Sequence, residues 1–192
     1  MARYCSAIRW SFKRLLEGQE TQEIRQLVQA KFELNSRQAN DAVNDAQAVI
    51  TSQRELVRIH LENSRARVEF TKKRIAEAKS PRKIAKLQKR LDKEQRKHAK
   101  WQHYFDTKTF PPVVFGGKKL FQERCKGNIS KEEWQEARSK RYLSRGDKTK
   151  GGNLNTRIYT VGDAIYLDIA ADPVKTEKSV RYKQAHGASA SM

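Results

Sequence analysis

The sequence predicts an α+β protein: a helical lobe built around a long antiparallel helical hairpin, followed by a small, incomplete β part. Three observations predict it. Apolar residues recur at helical spacing from residue 4 to about residue 106. A Ser80-Pro81 step separates two heptad stripes of similar length. Beyond Phe110-Pro111-Pro112 the texture changes to glycine-rich loops and short apolar runs. The expected organisation is a helical lobe over 4–106 with a basic hairpin at 54–105, a β-containing part over 107–170, and a polar tail over 171–192, expected to be disordered.

The first helix is expected over 4–17, with Cys5, Ile8, Phe12, Leu15 and Leu16 on one face and Gly18 as its stop. Thr21 is expected to cap a second helix carrying Ile24, Leu27, Val28 and Phe32. Asn35-Ser36 breaks the chain and recaps it. A third helix starts near Arg37 with Ala39, Val43, Ala46 and Ile50, so that three short helices suggest a small bundle. From Val57 a seven-residue rhythm runs through Leu61, Ser64, Val68, Thr71, Ile75 and Ala78. After Ser80-Pro81 it resumes as Ile84, Leu87, Leu91, Glu94, His98, Trp101 and Phe105. Two such stripes imply a finger roughly 35 Å long. Its seam is expected to be weak, because Ser64, Thr71, Glu94 and His98 take core positions.

Val113-Val114-Phe115 reads as a short strand closed by Gly116-Gly117. Ser130 and Glu133 have the spacing of a capping box, opening a short helix with Trp134, Ala137, Arg138 and Arg141. Leu154–Val161 and Ala164–Ile169 read as strands joined by a Gly162-Asp163 turn.

Hydrophobic residues make up 37% of the 192, charged residues 33%, and mean hydropathy is −0.90. That allows a modest core. Lys and Arg number 41 against 22 Asp and Glu, a formal charge of +19. The load is regional. Residues 65–100 hold 15 basic and 4 acidic side chains, and residues 108–150 hold 12 and 5. A solvated helix face usually mixes both signs, so this bias points to a polyanion, nucleic acid before an anionic membrane surface. No run of 18 apolar residues exists, so no transmembrane helix is expected; the expected partner is nucleic acid and not a membrane. The Met1–Leu16 segment carries Arg9, Lys13 and Arg14 and does not read as a signal peptide. Cys5 and Cys125, 120 residues apart, suggest neither a zinc site nor a disulfide framework, and a reducing, cytoplasmic, nucleoid-accessible setting is expected.

The candidate contacts follow from the charge map. On the hairpin they are Lys86, Arg90, Lys93, Arg96 and Lys97. In the ten-residue loop Ser144–Asn153, Arg145, Lys148 and Lys150 supply charge, Gly151 and Gly152 let backbone amides approach a phosphate, and Asn153 adds a donor. Lys118 and Lys119 follow a glycine pair in the same way. Arg138 and Arg141 alternate with Trp134 and Tyr142, a pattern able to stack on bases, although a core role for Trp134 is the stronger expectation. Catalytic signals are poor. His60, His98, His103 and His186 lack matched cysteine or carboxylate spacing, and no Walker A loop, nucleophile elbow, HExxH or dinucleotide fingerprint occurs. No cofactor and no metal is expected.

Pro111–Tyr159, most specifically FGGKKLF and SRGDKTKGGNLN, resembles the N-terminal region of TnpB-type proteins, and Tyr4–Gln47 resembles the helical segment preceding it. These are RNA-guided DNA endonucleases of insertion-sequence transposons, often labelled transposases and related to type V CRISPR effectors. The resemblance covers roughly residues 4–169. It implies a helical recognition lobe inserted into a small wedge-like β domain, together gripping guide RNA and the RNA–DNA heteroduplex. By motif it places such contacts on Lys118, Lys119, Arg145, Lys148, Lys150, Gly151, Gly152 and Asn153. That family opens with a strand and continues into a nuclease with three acidic residues and a CxxC zinc finger. This chain is expected to be truncated relative to it and to cleave nothing alone, with a nuclease domain on another chain as a further partner. The function expected is binding of RNA, RNA–DNA hybrid or DNA through phosphates and shape. The alternative is a coiled-coil docking protein with incidental polyanion binding.

Overall fold

The computed structural model describes residues 1–146, 151–153, 155–169 and 180–183. Six helices precede three strands: α1 Ala2–Leu16, α2 Thr21–Phe32, α3 Ser36–Ala76, α4 Pro81–Asp106, α5 Lys118–Cys125, α6 Lys131–Ala137, then β1 Thr156–Val161, β2 Ala164–Ile169 and β3 Val180–Lys183. The class is α+β. The chain divides into two compact units, one of residues 1–47 with 114–192 and one of residues 48–113. This division differs from a boundary at 106/107. The first helices pack with the segment beyond Val114, and α3 belongs to both units.

The core of the first unit comes from α1, α2 and the start of α3. Tyr4, Ala7 and Ile8 meet Ile24 and Val28, and Ala39, Ala42, Val43 and Ala46 close the other side. Ile24 and Val28 are fully buried, each removing apolar surface worth about 1.5–3 kcal/mol. The helix faces are slightly rotated from the expected ones. Leu16 and Leu27 are exposed, whereas Ala7 and Ser11 are fully buried. Small side chains there let α1 and α2 approach closely. Thr21 is not a cap: it is the first residue of α2, and Glu20 precedes it with no side-chain cap bond. Asn35 does recap the chain. Its Oδ1 accepts from the Gln38 amide at 2.8 Å, and its own amide donates to Gln38 Oε1 at 3.2 Å.

The segment after Val114 folds onto this core. Phe115 packs edge-on to Phe12 at 5.3 Å, and Tyr142 meets Tyr4 at 5.2 Å. Cys5 Sγ donates to the Arg141 carbonyl at 2.8 Å, and Arg9 Nη1 to that of Arg138 at 2.9 Å. Residues 113–115 form no strand. Pro111 and Pro112 lack amide donors, and the chain turns at Phe115-Gly116 to place the phenyl ring. Helix α5 was not foreseeable from periodicity, for none of its residues is buried. The capping box of α6 is present in full, with Glu133 N to Ser130 Oγ at 3.0 Å and Ser130 N to Glu133 Oε2 at 2.7 Å. That helix ends at Ala137, so Arg138 and Arg141 lie beyond it.

The sheet is an antiparallel meander in the order β1-β2-β3. Val161 pairs with Ala164 across Gly162-Asp163, with Gly162 at φ +58° as a two-residue turn requires. Strand β1 begins at Thr156, after a bend at Asn155; Leu154 lies outside the described residues. Part of the tail is ordered, contrary to expectation: Val180–Lys183 forms β3 against Tyr166–Ile169. The remainder of 171–192 lies outside the described residues.

The second unit is the hairpin. Helix α3 has no break between the expected third helix and the first hairpin arm: Ser36 to Ala76 is one 41-residue helix. No glycine or proline interrupts it. Helix α4 begins at Pro81, and Ser80 caps it through its carbonyl rather than its hydroxyl. Val57, Ser64, Val68 and Thr71 of one arm and Leu87, Leu91 and Glu94 of the other are buried, as the stripes predict. Phe105 departs from the stripe and is 48% exposed. Two of the polar seam residues are bonded: Ser64 Oγ donates to the Leu61 carbonyl at 2.8 Å and lies 3.0 Å from His98 Nδ1. The serine has one proton, so His98 donates through Nδ1–H. His60 stacks on Trp101 at 4.5 Å. Glu94 is the weak point. Its Oε2 is buried without a hydrogen-bond partner, and Lys97 Nζ is 4.0 Å from Oε1. Glu94→Leu should stabilise the hairpin by about 1–3 kcal/mol, read as a raised urea midpoint. A lowered midpoint would mean that the carboxylate is satisfied.

Among the described residues, no helix is long and apolar enough to cross a membrane.

Candidate nucleic-acid interface

Helix α4 carries Lys83, Lys86, Arg90, Lys93, Lys97 and Lys100 in alternating steps of three and four. That spacing keeps them on one stripe, about 25 Å long from Lys83 to Lys100, beside the apolar seam. Arg82, Lys89 and Arg96 form a second row one step round the helix. Among the described residues no carboxylate lies within ion-pair distance of Lys83, Lys86, Arg90 or Lys93, and Lys97 has only the 4.0 Å contact to Glu94. Arg96 Nε is turned to the Asp92 carbonyl at 3.3 Å. The first turn of α4 holds no acidic residue, so the positive end of the helix dipole adds to the cations. Such a stripe on a rigid scaffold suits a regularly spaced row of phosphates.

Near the hairpin turn the two arms enclose a cleft of about 430 Å³ lined by Arg74, Lys83, Lys86, Leu87 and Arg90. Arg74 comes from α3 and also lies over the Phe70 ring at 5.8 Å. The charge map alone did not single it out, although the hairpin register sets it level with the Lys86–Arg90 turn.

The other candidates lie in the first unit. Lys118 and Lys119 open α5 and are exposed, with no ion partner among the described residues. Gly116 beside them is not an anion cradle: it sits at φ +93°, and a Cβ there would meet Arg138 Cγ at 2.5 Å and Trp134 at 3.3 Å. Arg138 lies over the Trp134 ring at 5.5 Å, and Phe121 covers the same ring at 5.8 Å. Trp134 and Tyr142 are therefore packed within the unit. Arg141 reaches Asp45 Oδ2 at 3.4 Å with its side chain 63% exposed. The Arg145 side chain is exposed, while its amide donates to Asp41 Oδ2 at 3.3 Å. Asn153 is committed to the loop base. Its Nδ2 donates to the Ser144 carbonyl at 3.1 Å, and its Oδ1 accepts from Ser144 Oγ and the Asn155 amide. Gly151 and Gly152 take φ +69° and +144° in open space. Lys148 and Lys150 lie outside the described residues.

Asp41 and Asp45, one turn apart on α3, hold this loop and were not singled out from the sequence. Tyr4 Oη donates to Asp45 Oδ2 at 3.4 Å. Burial, with the charges of Asp45 and Asp41, pushes the Tyr4 hydroxyl far above its ordinary range. Burial raises the Asp41 carboxyl too, more than the Arg145 amide and the Arg145 and Arg37 charges lower it. A carboxyl raised in the folded state costs stability once ionised, and the cost vanishes below its unfolded value of about 3.8. The melting-temperature gain of Asp41→Asn over the native chain should therefore be largest near pH 7 and close as pH falls towards 4. A gain that widens on acidification would contradict the assignment.

Among the described residues no three His, Cys, Asp or Glu side chains converge to hold a metal ion. Fold and surface together define a basic α+β protein presenting a cationic helical hairpin. The chain belongs to the SSO2105 N-terminal domain family, whose model matches residues 1–188. No curated protein and no solved structure matches it.

Proposed function

We propose that this chain binds structured RNA or an RNA–DNA hybrid through backbone phosphates and A-form shape, with the α3–α4 hairpin as the main contact. The observation that carries the reading is the α4 stripe, where four consecutive cations from Lys83 to Lys93 lack a carboxylate partner among the described residues. Under the same proposal α1–α4 act as a helical recognition lobe and the β part as a wedge, as in the RNA-guided endonucleases that the sequence resembles. Description of the matched family as an N-terminal domain supports reading the chain as the N-terminal portion of a longer protein. Cleavage would then belong to a nuclease domain outside these 192 residues, and the chain alone binds without cutting.

Titration of a structured RNA across a salt series tests this. About 6–8 phosphate contacts give a log–log slope near −5 to −7 on a duplex. A slope near zero with a folded protein refutes the reading. A docking role for the hairpin has one observation in its favour: Leu56, Ile59 and Phe70 are exposed and share one face of α3. Polar replacement of these three would remove a protein partner and leave RNA binding intact.

A further inference from the structure

We infer that the cleft at the hairpin turn, where Arg74 of α3 joins the first cations of the α4 stripe, is a discrete site for a nucleoside phosphate. The inference rests on the nucleic-acid reading only for the physiological source of that ligand. The cleft joins four cations from both arms, Arg74 from α3 and Lys83, Lys86 and Arg90 from α4. Among the described residues none of the four has a carboxylate partner, and the dipole end of α4 contributes the same sign. Four like charges around one hollow repel, and an anion seated there removes that cost. Two guanidiniums in the lining favour a phosphate, whose oxygens match their paired donors, over a point-like anion.

Size narrows the ligand further. About 430 Å³ lies in the range of small-molecule sites and leaves ample room beyond one oxyanion. The wall is not wholly polar. Leu87, 7% exposed, lines it, and the aliphatic stems of the lysines and arginines extend that apolar surface. A phosphate on the cations with a ribose and base over Leu87 uses both halves of the surface. The arms that form the cleft are held side by side by the buried seam residues Thr71, Leu87 and Leu91, which favours a preorganised site. The same chemistry has two sources, a free mononucleotide or the phosphorylated end of a strand.

Calorimetric titration with adenosine monophosphate, and separately with inorganic phosphate, tests the inference at constant ionic strength. One equivalent of mononucleotide should bind at least about tenfold more tightly than phosphate. Lys83→Ala with Arg90→Ala should weaken it by about tenfold or more, while Arg54→Ala with Arg65→Ala, an equal loss of exposed charge elsewhere on α3, should change it less than about twofold. Far-UV circular dichroism verifies that both double variants keep their helices. Equal affinity for phosphate and mononucleotide, absence of saturable binding, or an unaffected Lys83/Arg90 variant each overturns the inference. Displacement of the mononucleotide by a short RNA with and without a 5′-phosphate identifies the source: only the phosphorylated strand competes if a strand end is the ligand. A structured RNA is titrated in parallel. RNA binding without mononucleotide binding sinks the cleft and leaves the broader reading standing; mononucleotide binding without RNA binding does the reverse.

Discussion

Neutralising Lys86, Arg90 and Lys93 together with glutamine should lower affinity for a structured RNA by about 10²–10³-fold at 0.1 M salt. Each phosphate contact contributes nearly one unit to the log–log salt slope, so three lost contacts should also flatten that slope by about 3. The three side chains are exposed and carry no ion pair among the described residues. Glutamine has a good helix propensity, so the variant should fold and keep its far-UV spectrum. The paired loss of affinity and slope separates direct phosphate contact from a general effect of net charge. A loss under tenfold with an unchanged slope would move the interface off α4.

The second large effect concerns the turn that leads into Lys118 and Lys119. Gly116→Ala should destabilise the first unit by about 2–4 kcal/mol, read by urea unfolding. Two costs combine. A side chain at φ +93° is strained, and its Cβ would strike Arg138 Cγ at 2.5 Å beneath the Trp134 ring. Gly117, at φ +97°, has open space where a methyl would project, with nothing within 4 Å, so Gly117→Ala isolates the strain. The difference between the two variants, about 1–3 kcal/mol, is the packing clash. Equal losses would mean that the Trp134–Arg138 pair yields freely. The outcome also decides what shapes this loop, since close packing against α6 accounts for the glycine without any bound anion.

Local periodicity made much of this fold legible. The stripe from Val57 to Thr71 and its counterpart from Leu87 to Glu94 are the hairpin seam, and Ser80-Pro81 and Gly162-Asp163 are its turn and the sheet's turn. The illegible parts have a common cause: they depend on partners far along the chain. Helix α1 packs on α2 and α3 but is also covered by Arg138–Leu143, some 130 residues away, through Tyr4, Cys5 and Arg9, and no spacing within residues 1–47 announces that. Helix α5 buries nothing, so no stripe marks it. Strand β3 sits in a polar tail and is held by backbone pairing to β2. The continuity of α3 was readable in the absence of any breaker from Ser36 to Ala76, but the late start of the heptad at Val57 obscured it.

The candidate interface divides similarly. Lys86 and Arg90 were legible because charge bias is a one-dimensional signal. Arg74 became part of the same cleft only once two arms were brought side by side. Asn153 illustrates the opposite case. A loop asparagine after two glycines resembles a phosphate donor, and its side-chain oxygen and nitrogen bond Ser144 and Asn155. Asp41 and Asp45 look like ordinary charges of a helix face until the Arg141–Arg145 segment buries them.

The most direct measurement is ultraviolet crosslinking of the purified chain to a structured RNA, followed by mass-spectrometric mapping of the linked peptides. Crosslinks concentrated between Arg74 and Lys100 are the predicted result. A map confined to the first unit, or no crosslink from a folded protein, would contradict the hairpin as the nucleic-acid contact.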